Sequence, residues 1–484
     1  MKPNRTTLLV ALAGSVGVLA AAAPADRLDD VLRELNAAKF VQGTEESKSY
    51  RILFDAFLDL SEAPFEIGEQ FNLTTIHPKM SGWTAVSGWA ESNPGMAEAI
   101  LKCKDKNIIG LPYGMDDVPA SYREADMVAA LGVNGSLRNN QFRYFKAVDT
   151  IAAFATAEMY RLLEAGKEQK ALDLAIAHLV VLRQFADRQF LAEKLHHLPL
   201  LTEALANLRD VFYRYREQIS VDQFVDIAWK EIPFLRPDWR RFEMPEADRV
   251  VSQALIEDVF QRNGQADPDK FAETFAAIQS SDAPLTIFGA ARRWRQIASV
   301  HGSLEASLDR LNLIYDDWWR RWRVDPYDAI LELETQFERT NEVRYAAVIY
   351  SMQNIEGLFT VRKHLRAGIS AAALAAGLCA YKQELGTFPR DHKQMYAQFV
   401  RKISDADPYD PDYGHFRYLV PDRKWFIETD AGDLWVEAGE PILYAVGQDG
   451  ADDRAAEHTD DGARGDVVVW PPIRSLQRDA GLID

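Results

Sequence analysis

From residue 27 to about 366, apolar positions recur at three- and four-residue spacing, the period of helices that bury one face. The clearest stretch is 149–186. Ala157, Tyr160 and Leu163 form one stripe, and Ala171, Leu174, Ala175 and Leu179 a second, on either side of Glu164-Ala165-Gly166-Lys167. Gly166 can end the first helix in a left-handed turn without a Cβ clash. Small alanines at facing positions let antiparallel helices approach closely, so this stretch predicts a helical hairpin. Residues 198–216, 245–262, 268–279 and 304–323 continue the helical pattern. Pro245 and Pro268 are expected in first turns, where a missing N–H costs nothing. Pro233, Pro237, Pro284 and Pro326 punctuate the segments between helices. Residues 68–135, with Asn93-Pro94-Gly95 and Gly110-Leu111-Pro112-Tyr113-Gly114, read as helices joined by long loops. No fixed repeat period is present, so an irregular array is predicted.

The pattern changes near Arg366. Residues 368–381 are apolar but too few to span a membrane, and predict a helix buried against a small sheet. A second helix is predicted from Pro389 to Ile403. Short alternating or clustered runs at 416–419, 424–428, 434–436, 442–446 and 466–470 predict strands. Pro471-Pro472 ends the last, and the tail 473–484 is expected to be loose. The fold class is therefore mainly α: an irregular helical-hairpin array over 26–365, then a small α+β module with an antiparallel sheet over 366–472.

The first 25 residues read differently. Lys2 and Arg5 precede an apolar run from 6 to 19 and a small-residue stretch to Ala25, the plan of a secretory signal peptide. Export to the periplasm or the cell exterior follows. A retained anchor is the alternative, because 8–25 is at the low edge of a span. Export would permit a disulfide, but Cys103 and Cys379 are far apart, and Cys379 lies in an Ala/Leu-rich helix as a small hydrophobe. The 484 residues leave room for two or three domains. A net charge of -18 repels phosphate backbones and anionic lipid, so nucleic acid is not an expected partner.

Candidate chemistry is sparse. The densest acidic loop carries Asp449, Asp452, Asp453, Asp460, Asp461 and Asp466, with Gly450, Gly462 and Gly465 to turn the backbone. Calcium takes about 6–8 oxygen ligands, and these carboxylates are the expected set for one Ca2+. The spacing is not that of an EF-hand, and a solvated acidic loop is the alternative. Asp316-Asp317-Trp318-Trp319-Arg320-Arg321-Trp322-Arg323 could line a sugar-binding cleft with paired acids. The structural reading is preferred: an amphipathic helix that buries Trp and pairs Asp316 with Arg320 and Asp317 with Arg321. His196-His197 are adjacent, so on a helix they point apart and read as structural. No nucleophile elbow, phosphate loop or dinucleotide fingerprint is present, and no catalytic residue is assigned.

The order of parts in the last hundred residues resembles the globular domain of the major pseudopilins of type II secretion. Gly386, Phe388 and Pro389 match that family's helix end. Asp407, Pro408 and Tyr409 match its turn, and Gly447, Asp449 and Gly450 match its Asp-Gly loop, with Ala445 in place of a Ser. Gly465-Asp466-Val467 stands where the family has Asp-Asp-Ile, so one acid is missing. The resemblance implies calcium in this loop, with Asp449 and Asp466 on the matching positions. The chain has no prepilin junction, so assembly into a pilus is not implied. The whole layout is similar to secreted bacterial proteins that join a helical region to this module. The 149–186 hairpin is similar to the tetratricopeptide kind without its full consensus. The secreted bacterial proteins of this layout have no established activity. The expected function is therefore an exported, non-enzymatic scaffold for a protein or peptide, with a calcium-stabilised C-terminal module. The rival is a carbohydrate-active enzyme with an acidic, Trp-lined cleft in the helical domain.

Overall fold

The computed structural model describes residues 25–235, 243–282, 287–324, 328–412 and 414–483. The expected leader, apart from Ala25, and Pro237, Pro284 and Pro326 lie outside the described residues. Helices α1 (Ala25–Asn36), α2 (Tyr50–Leu58), α3 (Trp83–Ser92), α4 (Pro94–Cys103) and α5 (Ala120–Glu124) come first, joined by long loops. A short antiparallel pair, β1 (Ala129–Ala130) and β2 (Gln141–Phe142), follows. The predicted hairpin is α6 (Phe145–Glu164) and α7 (Glu168–Ala186), with Gly166 at φ 65° between them. Both of its predicted stripes are buried.

The array continues through α8 (Leu191–Arg214), α9 (Val221–Asp226), α10 (Ile232–Phe234), α11 (Ala247–Asp258) and α12 (Pro268–Asp282). It ends with α13 (Ile287–Val300), α14 (Leu304–Arg323) and α15 (Ala346–Ser351). α8 opens well before the predicted residue 198, because the Glu193 carboxylate accepts the Phe190 N–H at 3.1 Å and closes a first turn. Pro268 opens α12 as expected, whereas Pro245 precedes α11. Pro233 lies inside the short α10.

The Ala-rich stretch is the middle of a 30-residue helix, α16 (Glu356–Leu385). Position 366, the expected start of the module, lies inside it. Ala371, Ala372, Ala373, Ala375 and Ala376 are all buried. Their small side chains let α8 and α9 close in. Strands β3 (Arg417–Leu419), β4 (Trp425–Ile427), β5 (Leu434–Val436), β6 (Ile442–Ala445) and β7 (Val467–Trp470) fall where the sequence places them. β3, β6 and β7 form an antiparallel sheet in that order, β4 pairs with β5, and β7 packs against α16. Helix α17 (Ile473–Asp479) closes the described chain. The fold is mainly α with a small α+β end.

Two expected elements differ. The helix from Pro389 to Ile403 is two single turns, His392–Met395 and Lys402–Asp405. Ala397 at φ 66° breaks the helical path between them, and buried Asp405 gathers His392, Tyr396 and His415 instead. The expected loose tail is α17. There Ser475 Oγ donates to Asp210 at 2.8 Å, and Arg478 meets the other oxygen of Asp210 at 3.2 Å. Cys103 and Cys379 are both free and buried. Among the described residues no helix is long and apolar enough to cross a membrane.

Candidate binding groove beside the acidic loop

The aromatic and acidic cluster on α14 is architectural. Trp318 and Trp322 are fully buried and offer no face to a sugar. The indole N–H of Trp319 donates to Glu246. Asp317 accepts from Arg321 Nε at 3.1 Å and from the Gln336 N–H at 3.0 Å. Arg321 in turn donates to the Ile330 and Glu334 carbonyls at 2.6 and 3.2 Å. Together they pin the segment 330–336 onto α14. Among the described residues Asp316 and Arg320 form no ion pair. His196 stacks on Phe145 with centroids 4.0 Å apart and lies 2.9 Å from Asp149, whereas His197 lies 3.0 Å from the Tyr144 hydroxyl. The two imidazoles lie edge to face, 5.0 Å apart, with Phe145 against both, but their polar contacts go to different residues.

The acidic loop is tied up in its own turns. Asp466 is buried and accepts N–H bonds from Ala455 at 2.7 Å and Asp453 at 3.3 Å. Burial pushes its carboxyl up to about 7 against the pull of those two bonds, with Asp452 and Asp453 adding to the rise. Asp449 accepts the Ala451 N–H and Asp461 the Ala463 N–H, each at 3.0 Å. Asp452 accepts the Tyr444 hydroxyl at 3.0 Å and lies 3.5 Å from Arg417. Asp460 lies 4.0 Å from Arg474, and Asp453 is exposed. Among the described residues no three His, Cys, Asp or Glu side chains gather so as to hold a metal ion. As arranged, the six aspartates form no preassembled shell, so calcium would bind only by drawing the loop together. Gly447 is required for packing: a Cβ there would lie 2.0 Å from the Gly465 carbonyl oxygen.

Asp449 does reach a concave surface. A groove of ≈ 760 Å³ runs between the pinned segment after α14, the first half of α16, and loops carrying Tyr409 and Asp449. That volume is in the range of about 300–1,000 Å³ usual for ligand sites. Its floor carries Arg362, Lys363 and Arg366, and its rim Glu332, Glu334, Glu338, Glu356 and Asp449. Arg362 donates to the Trp322 carbonyl at 2.6 Å and lies 4.1 Å from the Trp322 ring centroid. Among the described residues its Nε has no hydrogen-bond partner, and burial pushes the guanidinium down to about 9. Lys363 sits 5.2 Å from the Tyr409 ring centroid, and burial lowers its pKa too. Thr335 orders the rim: its N–H donates to Glu338 at 2.8 Å and its hydroxyl to Glu356 at 2.7 Å. Leu333 stands 58% exposed beside them.

The sequence held part of this groove unread. Arg362 and Arg366 are four apart on one helix, a spacing that puts two cations on one face. The acidic rim comes from a separate segment and carries no local signature. The surface so defined is an open, mixed-charge groove with a cationic floor, on a mainly α protein. No protein-family description, curated protein or solved structure matches this chain.

Proposed function

We propose that the chain is an exported, non-enzymatic binding protein that takes an extended, acidic peptide segment in the groove over α16. The observation that carries this reading is the groove's floor, where Arg362, Lys363 and Arg366 face a space of ≈ 760 Å³ with Leu333 exposed at its edge. Cations half-withdrawn from water gain most from a carboxylate that replaces lost hydration. The acidic rim repels acidic segments that do not reach the floor and so favours one register. The export half of the proposal rests on the N-terminal pattern.

Fluorescence anisotropy on the full chain tests the groove with acidic, neutral and basic peptides of equal length. Acidic peptides should bind, and Lys363→Gln with Arg366→Gln together should weaken them at least tenfold. Equal binding of acidic and basic peptides would overturn the reading. Mass spectrometry of the mature N-terminus tests export, with a start within a few residues of 26 expected.

Calcium is a separate proposal carried by the pseudopilin resemblance, with Asp449 and Asp466 as ligands. It predicts that calcium at about ten times its Kd adds about 1.4 kcal/mol of stability. The measurement is a melt in calcium against chelator. Identical melting points would leave Asp466 held by its N–H bonds alone.

A further inference from the structure

A second, smaller cavity lies on the other side of α16, where α8, β7 and the start of α17 meet. It measures ≈ 70 Å³, and Arg209, Arg474, Glu203, Asp210 and Glu457 line it. About 10–15 Å³ of such space holds one water, so this cavity takes several waters or one small polyatomic ion. Three guanidinium nitrogens at this junction are closed to solvent and, among the described residues, lack a hydrogen-bond partner: Nε and Nη1 of Arg209 and Nη1 of Arg474. Unpaired buried charge is costly.

Asp460 also lines the cavity, but it is solvent-exposed and only 4.0 Å from Arg474 Nη2; the other three carboxylates are already engaged. Glu203 pairs with Arg474 through its other terminal nitrogen, Nη2. Asp210 takes Ser475 and Arg478. Glu457 accepts the Val468 N–H at 2.7 Å, and burial pushes its carboxyl up to about 8, so it is largely protonated near neutrality. Among the described residues no carboxylate forms an ion pair with Arg209, and Asp210, Glu203 and Glu457 act on it only through space.

We propose that this cavity binds one small oxyanion, held between the guanidinium groups of Arg209 and Arg474. Guanidinium donors in a fixed fork match oxyanion geometry, and a bound oxyanion would supply the counter-ion that Arg209 lacks. The shared chemistry is that of inorganic sulfate or phosphate and of a free carboxylate, and the assay separates them.

The test is a thermal melt and a calorimetric titration of the full chain in sulfate, phosphate and acetate, with chloride at matched ionic strength as reference. Sulfate also stabilises proteins through exclusion from their surface, so the decisive comparison is between variants. The intact chain should show a saturable rise in melting point with at least one oxyanion. Arg209→Met should weaken that response at least tenfold while melting no lower than the intact chain without anion, since an unpaired buried charge has gone. Arg209→Lys keeps the charge without the fork and should bind more weakly than Arg. It also serves as the test variant if the Met substitution fails to fold. An equal saturable response in the intact chain and the variants, or none in the intact chain, would overturn the proposal and leave the cavity to water.

Discussion

Glu193 ties together separate parts of the helical array. Its carboxylate accepts from the Tyr113 and Tyr144 hydroxyls and from Arg188 Nε, all at 2.7 Å. Arg188 lies 3.9 Å from the Tyr113 ring centroid, and Glu193 and Arg188 are both buried. Burial holds both tyrosines well above their usual pKa, so they remain donors. Removing one partner of a buried pair leaves the other charge uncompensated, at a cost of about 3–5 kcal/mol. Glu193→Ala should lower the stability read from urea denaturation by about that much. An unchanged midpoint would mean that the array does not depend on this hub. Nothing local marks Glu193 in the sequence, because Tyr113 and Tyr144 are far along the chain and one of the two lies in a loop.

At the scale of elements, α17 makes the sharpest claim. Ending the chain after Pro472 removes Arg474, Ser475 and Arg478 and leaves Asp210 buried without the partners seen in the fold. A truncated chain should lose about 3–5 kcal/mol by the same reasoning, visible as a lower melting temperature. An unchanged melting temperature would return the tail to the loose segment the sequence predicts. The sequence hid this helix because two of its buried residues, Ser475 and Arg478, are polar and break the apolar period. Where enough large apolar residues keep the period the reading worked: α14 spans the predicted residues 304–323 although it also buries Ser307 and Arg321, and β5 the predicted 434–436. Met395 and Phe399 have helical spacing, yet Ala397 at φ 66° turns the chain between them. The boundary expected near Arg366 falls inside a continuous helix. The acidic loop was legible as composition only, since its path decides which aspartates meet.

Across the whole molecule, α16 joins the two halves: its first turns floor the groove, and its middle is core to both α8 and β7. Such extensive burial leaves titratable groups inside, and these set a pH dependence. Burial raises Asp248 to about 7 and Glu457 to about 8. It also lowers His77 to about 3 and His178 to about 4. Between about pH 4 and 6.5 the two sets oppose each other. The unfolded carboxyls have lost protons that the folded ones keep, so stability falls as pH rises. The unfolded histidines hold protons that the folded ones lack, so stability rises. Above about pH 6.5 the unfolded histidines finish losing their protons, and Lys194, lowered to about 8 by burial, adds a small rise of its own. The raised carboxyls of Asp248, Asp466 and Glu457 titrate most strongly there. Their stability contribution is full at low pH and is lost as pH rises through 7 and 8, so the chain should become less stable from about pH 6.5 to 8. Urea midpoints at constant ionic strength across that window measure it. Asp248 accepts the Leu191 N–H at 2.6 Å at the head of α8. Asp248→Asn keeps an acceptor there and cannot ionise, so it should flatten the fall. A stability that rises from pH 6.5 to 8 in the intact chain would mean that these carboxyls are hydrated in solution and not held in the dry interior.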